Sequence, residues 1–138
     1  MITFENKIII VTGASEGIGY EMSLELSKQK CRLVIAARSL DKLETLADLI
    51  RANGSQALPV KCDITFEEDC KNLIDKTVLY YGGIDILINN AGTASRALIE
   101  NTEIDVLKQL MEINFWGAAR LTKNALPFIR KNNGMLVA

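Results

Sequence analysis

The 138-residue chain contains no histidine. Imidazole is the usual general base of nucleophilic triads and the commonest nitrogen ligand of zinc, so both kinds of site are excluded in their ordinary form. The three cysteines, Cys31, Cys62 and Cys70, form no Cys-x-x-Cys pair. They are expected to be small apolar residues of a reducing compartment, and no metal site is expected. Neither sign of charge is in excess: 16 Lys plus Arg stand against 17 Asp plus Glu, so no general field draws the protein to nucleic acid or an anionic membrane. No apolar run approaches the roughly 20 residues of a membrane span. The first strand-like run begins about seven residues in, leaving no space for a signal peptide. Low-complexity segments and repeats are also missing. Together these absences predict a soluble, cytoplasmic protein with a single domain over residues 1–138. A hydrophobic content of 49% excludes disorder.

What is present alternates between strand and helix. Lys7 to Val11 predicts a strand and Ile18 to about Gln29 a helix. Arg32 to Ala36 predicts a second strand, after which Ser39 is expected to cap a helix carrying Leu43, Leu46, Ala47 and Ile50 at i, i+3, i+4, i+7. Asn53-Gly54 should end that helix in the left-handed conformation. Ala57 to Lys61 is a third strand, and Thr65-Phe-Glu-Glu68 has the form of a capping box for a helix ended by Gly82-Gly83. Ile84 to Ile88 is a fourth strand and Met135 to Ala138 a fifth. The region from Glu103 to Lys131 between them should be helical, with irregularities near Asn114 and Pro127. Short, uncharged apolar strands belong to a parallel sheet covered on both faces, and strands linked by helices imply right-handed crossovers. The predicted fold is α/β: a doubly wound, Rossmann-like parallel sheet ordered 3-2-1-4-5.

Four places along this frame carry chemistry. Thr12-Gly-Ala-Ser-Glu-Gly-Ile-Gly19 stands between the first strand and its helix. Glycines there let a diphosphate approach the backbone amides, and the helix adds its unpaired N–H groups and dipole. The alternative is a tight turn that binds nothing. At the end of the second strand, an acid about 20 residues beyond the loop would bond the ribose hydroxyls of NAD. Here Ala36-Ala37-Arg38-Ser39 offers no acid, and the Arg38 fork suits a 2′-phosphate unless it is only solvated. The cofactor expected is NADP(H) ahead of NAD(H), with Ser39 within reach of the same phosphate. Past the third strand, Asp63 could accept from an adenine amino group while Ile64 packs on the ring; otherwise Asp63 only orders its loop. Last, Asn89-Asn90-Ala91-Gly92 follows the fourth strand, its small residues leaving space for the cofactor and its amides tying strand ends together.

With the Asn114-Phe-Trp-Gly117 segment in register, these motifs resemble the short-chain dehydrogenase/reductase family, in its simple NADP-preferring type, from Lys7 to Ala138. The resemblance implies that Gly13, Gly17 and Gly19 line the pyrophosphate, with Ser15 and Ile18 beside them. It implies that Arg38 and Ser39 meet the 2′-phosphate, Asp63 and Ile64 the adenine, and Asn89, Ala91 and Gly92 the ribose region. Glu16 stands where many NADP users carry a second base. Asn114 matches the family's catalytic asparagine, at which a helix distortion frees a carbonyl for a water of the proton relay. The implied activity is hydride transfer between NADP(H) and a small carbonyl or alcohol substrate, by a protein that is usually a homo-oligomer.

The family's tyrosine and lysine stand four apart, so that the ammonium lowers the phenol's pKa. Four residues beyond Tyr20, Tyr80 and Tyr81 stand Leu24, Ile84 and Asp85. The serine expected just past the fifth strand is also missing. The resemblance therefore reads the chain as the cofactor-binding half of an enzyme about twice as long, inactive alone, truncated after the fifth strand. Its exposed sheet edge and uncovered Leu121 and Leu126 would leave it prone to associate. The alternative is a non-catalytic NADP(H)-binding sensor or regulatory module. A methyltransferase with the same glycine loop is disfavoured by Ala37-Arg38, where that class wants an acid.

Overall fold

The computed structural model describes residues 3–138. Five parallel strands form one sheet in the order β3-β2-β1-β4-β5, as the alternation of elements predicts. The central strand β1 (Ile8–Thr12) pairs with β2 (Arg32–Ala37) from Ile8↔Arg32 to Thr12↔Ala36. On its other side it pairs with β4 (Ile86–Ile88), and β3 (Gln56–Lys61) and β5 (Met135–Val137) form the edges.

Every residue of β1 is buried, because both faces of the sheet are covered. Ile9, Val11, Leu33 and Ile35 point to one face. They meet Leu43, Leu46 and Ile50 of α2 (Leu40–Ala52), with α1 (Gly17–Ser27) beside it. Ile10, Val34 and Ala36 point the other way, onto Leu73 and Ile74 of α3 (Glu67–Tyr81) and Leu121 and Ile129 of α5 (Ala118–Lys131). Each large side chain buried this way contributes about 1.5–3 kcal/mol. α2 ends as its Asn-Gly pair predicts. Gly54 is left-handed (φ +96°), and the Gly54 and Ser55 amides donate to Arg51 and Ile50 carbonyls at 3.0 and 3.3 Å.

Three local expectations are corrected. The Thr65–Glu68 capping box does not form, since Phe66 holds the cap position of α3. Thr65 Oγ1 donates instead to Asp63 Oδ1 (2.7 Å), and Asp69 Oδ2 accepts the Asp63 amide (2.9 Å). A carboxylate two residues away is a stronger acceptor than the hydroxyl is a cap, so the loop closes on itself. Ser39 does sit at the cap position of α2, but its hydroxyl makes no capping bond. Leu121 is fully buried rather than uncovered, because Leu121, Ala125 and Ile129 form the inward stripe of α5, while Leu126 is exposed.

The helical region is continuous but changes pitch. α4 (Ile104–Met111) runs into one wide π turn over Glu112–Gly117, which holds Asn114, and then into α5. The irregularity expected at Asn114 is present. At Pro127 the helix carries on to Lys131; Lys123, whose carbonyl loses its partner there, is exposed and can bond water. No helix among the described residues is long and apolar enough to cross a membrane.

Candidate functional site

The carboxyl ends of the strands meet around an open cleft of about 1020 Å³, at the crevice where strand order reverses about β1. Beneath it, the side chain of Thr12 holds the strand ends together. This hydroxyl is buried, donates to the Ile88 carbonyl (3.2 Å) and accepts the Asn90 and Ala91 amides (both 3.0 Å). Asn90 Nδ2 returns a bond to the Thr12 carbonyl at 3.0 Å. The ends of β1 and β4 are thereby locked together, close enough that a Cβ on Gly13 would lie 2.8 Å from Ala91 Cα.

The glycine loop divides its work. Gly19 is buried against Asn90, where a Cβ would come within 2.5 Å of Nδ2, so it permits the close approach of helix to strand. Gly17 is left-handed (φ +61°), and no protein atom lies within 4 Å of a Cβ placed there. Gly13, Ser15 and Ile18 line the cleft itself, with Ile18 73% exposed on the first turn of α1. An open left-handed glycine at a helix start, with an exposed apolar neighbour, fits a dinucleotide diphosphate lying on the backbone.

Beyond the ends of β2 and β3 the cleft is lined by Arg38, Ser39, Asp63 and Ile64. Arg38 is exposed and makes no ion pair among the described residues. Asp63 does order its loop, since its Oδ1 accepts both the amide and the hydroxyl of Thr65. Oδ2 takes part in neither bond. Ile64 is wedged on Gly117, where any Cβ would collide with it, and so is held rigidly at the wall. Neighbouring Cys62 is buried beside Cys70, and its interaction with that thiol together with its burial pushes its pKa above the ordinary thiol range.

Beyond β4, Ala91 and Gly92 line the cleft, and Asn89 lies behind it. Asn89 Nδ2 donates to Thr122 Oγ1 (3.1 Å) and its amide to the Val137 carbonyl (2.9 Å), which ties β4 to α5 and β5. The Asn114 side chain is wholly engaged with Thr93. Oδ1 accepts the Thr93 amide (2.8 Å) and Nδ2 donates to the Thr93 carbonyl (2.7 Å). The π turn thus anchors the segment that continues the cleft wall.

The family model described as short chain dehydrogenase matches residues 7–138. The chain belongs to the short-chain dehydrogenase family. Among its relatives, 11-beta-hydroxysteroid dehydrogenase-like 2 of Arabidopsis thaliana is 40% identical over 97% of this chain and 45% of its own length. An 11-beta-hydroxysteroid dehydrogenase of Pinus massoniana is 38% identical over 96% and 38%. The chain therefore spans less than half the length of these relatives. A short-chain type dehydrogenase/reductase of Mycobacterium marinum superposes with a TM-score of 0.91 at 28% identity, over 97% of this chain and 55% of that one. An alcohol dehydrogenase of Thermococcus sibiricus, complexed with 5-hydroxy-NADP, also gives 0.91, at 27% identity over 94% and 56%.

Two residues at this short-chain dehydrogenase cleft, Thr12 and Lys42, escape sequence reasoning. Thr12 could have been found as a lone hydroxyl ending an all-apolar central strand, where burial demands a hydrogen-bond partner. Asn90, by contrast, ties the ends of β1 and β4 together as the Asn89-Asn90-Ala91-Gly92 motif and the predicted strand order imply. Lys42 lines the cleft and pairs with Glu16 at 3.1 Å, a contact between elements 26 positions apart that no local pattern announces.

Proposed function

We propose that this chain is the NADP(H)-binding part of an oxidoreductase that interconverts a small carbonyl and its alcohol. The observation that carries the cofactor choice is the unpaired Arg38 guanidinium at the cleft wall, at the end of a β2 that supplies no carboxylate. A guanidinium without an internal partner is free to bond a 2′-phosphate through its fork, and no acid is present there to favour the bare diol. The dinucleotide complex reported for the Thermococcus sibiricus neighbour supports the same assignment.

In this reading the Gly17 turn and the start of α1 hold the diphosphate. Arg38 and Ser39, whose hydroxyl does not cap α2, hold the 2′-phosphate, while Asp63 Oδ2 and Ile64 hold the adenine. Bound there, the cofactor supplies or accepts a hydride at its nicotinamide. Ala91 and Gly92 flank that half, and Asn114 positions the adjoining wall through Thr93, its carbonyl serving a relay water. Asn89 supports the cleft from behind. The exposed Ile104, Met111, Phe115 and Trp116 give the α4–π surface the character of a self-association face, and three buried free thiols suit a cytoplasmic setting.

Titration of the 138-residue chain with NADPH and NADH, followed by nicotinamide fluorescence, tests the cofactor assignment. NADPH should bind at least tenfold more tightly, and Arg38→Ala should abolish most of that preference. Equal affinities in the unaltered chain would refute it. No carbonyl turnover is expected from this chain alone, because its sequence holds no Tyr-x-x-x-Lys.

A further inference from the structure

Two charged residues at the adenosine end of the cleft forgo the roles their positions favour. Lys42 lies in the first turn of α2, where the helix dipole favours a carboxylate and disfavours an ammonium. Glu16 holds the cap position of α1, yet its carboxylate makes no capping bond and reaches Lys42 Nζ at 3.1 Å. Both line the cleft that Arg38 lines, and both are open to water, with side-chain exposures of 78% for Glu16 and 56% for Lys42. An ion pair this exposed stabilises the fold very little. Local helix rules broken twice without a gain in stability are the mark of a functional position.

We propose that Lys42 is a second cation for the 2′-phosphate and a determinant of the NADP(H) preference, with Glu16 as the partner it leaves when the phosphate arrives. The proposal rests on the NADP(H) assignment above. The exchange is chemically balanced: one exposed carboxylate contact is replaced by a contact to a more highly charged phosphate, with no bond made or broken. It also resolves the presence of Glu16 beside an expected anion, because Lys42 offsets the Glu16 charge in the free protein. Without the 2′-phosphate, as with NADH, Lys42 has no reason to leave Glu16, and the two dinucleotides are told apart by one side chain changing partners.

The test compares NADPH and NADH affinities of the 138-residue chain with those of K42M, K42R, E16Q and R38M, at low salt and with circular dichroism to confirm the fold. K42M should weaken NADPH by about fivefold and spare NADH, whereas K42R should retain the preference. E16Q should move the other way, tightening NADPH by removing the competing carboxylate. A merely structural ion pair would make K42M and E16Q act alike. If R38M erases the preference while K42M leaves it unchanged, Lys42 is excluded and the cofactor assignment stands. If the unaltered chain already binds both dinucleotides equally, the assignment itself fails, and the role of Lys42 with it.

Discussion

A Cβ at Gly19 would press on the Gly13 carbonyl and on Asn90, backbone and side chain that Thr12 holds in place. Gly19→Ala should therefore cost at least about 2 kcal/mol, read as a fall in melting temperature. Gly17→Ala meets no obstacle and pays only for its left-handed backbone, about 1 kcal/mol, but should weaken dinucleotide binding. Tyr81 offers a different check. Its hydroxyl is buried without a partner, and burial, reinforced by Tyr80, pushes its pKa up to about 12. Tyr81→Phe should leave stability at pH 7 unchanged or raised by up to about 1 kcal/mol. Since the unfolded phenol titrates near 10, the unfolded state loses its proton first as pH rises. Stability should then fall between pH 10 and about 12, and urea denaturation of Tyr81→Phe should lack that component.

At the scale of elements, the π turn and the segment after β4 form one unit through Asn114 and Thr93. Asn114→Ala should speed amide exchange from Thr93 to Arg96 while leaving affinity for 2′,5′-ADP unchanged, because the adenosine site proposed above lies on other elements. Broader loss of protection would mean that Asn114 supports the fold as a whole. The elements themselves were legible in the sequence, since apolar runs and Gly or Asn breakers act locally. So was the irregularity at Asn114, where a poor helix former sits inside a helical run. The cap of α3 was not, because Asp63 and Asp69 compete for the same loop and only geometry decides between neighbours. Leu121 was misjudged for a related reason: an α5 stripe pointing inward depends on the pitch change just before it.

For the molecule as a whole, the strand order followed from the crossover rule, and the position of the cleft followed from the strand order. The tie between strand ends at Asn90 followed as well, but the Asn114–Thr93 and Lys42–Glu16 contacts did not, because each joins residues that no local pattern relates. The outer edge of β5 exposes Met135, Leu136 and Val137, next to exposed Leu126. This 138-residue chain should associate reversibly at tens of micromolar, on the general hazard of open apolar sheet edges. Leu136→Lys should shift sedimentation toward monomer; a monomeric parent chain under the same conditions would contradict that.

The Thr12–Asn90 lock joins positions 78 apart. Arg38, Asp63 and the glycine loop all follow the first three strands, whereas Gly92 and Thr93 follow β4, which pairs with β1. The cleft is therefore a seam between two stretches of chain, which meet only because β4 lies beside β1. A dinucleotide lying across that seam, as proposed, would fasten the two stretches together, so the melting temperature should rise with cofactor concentration.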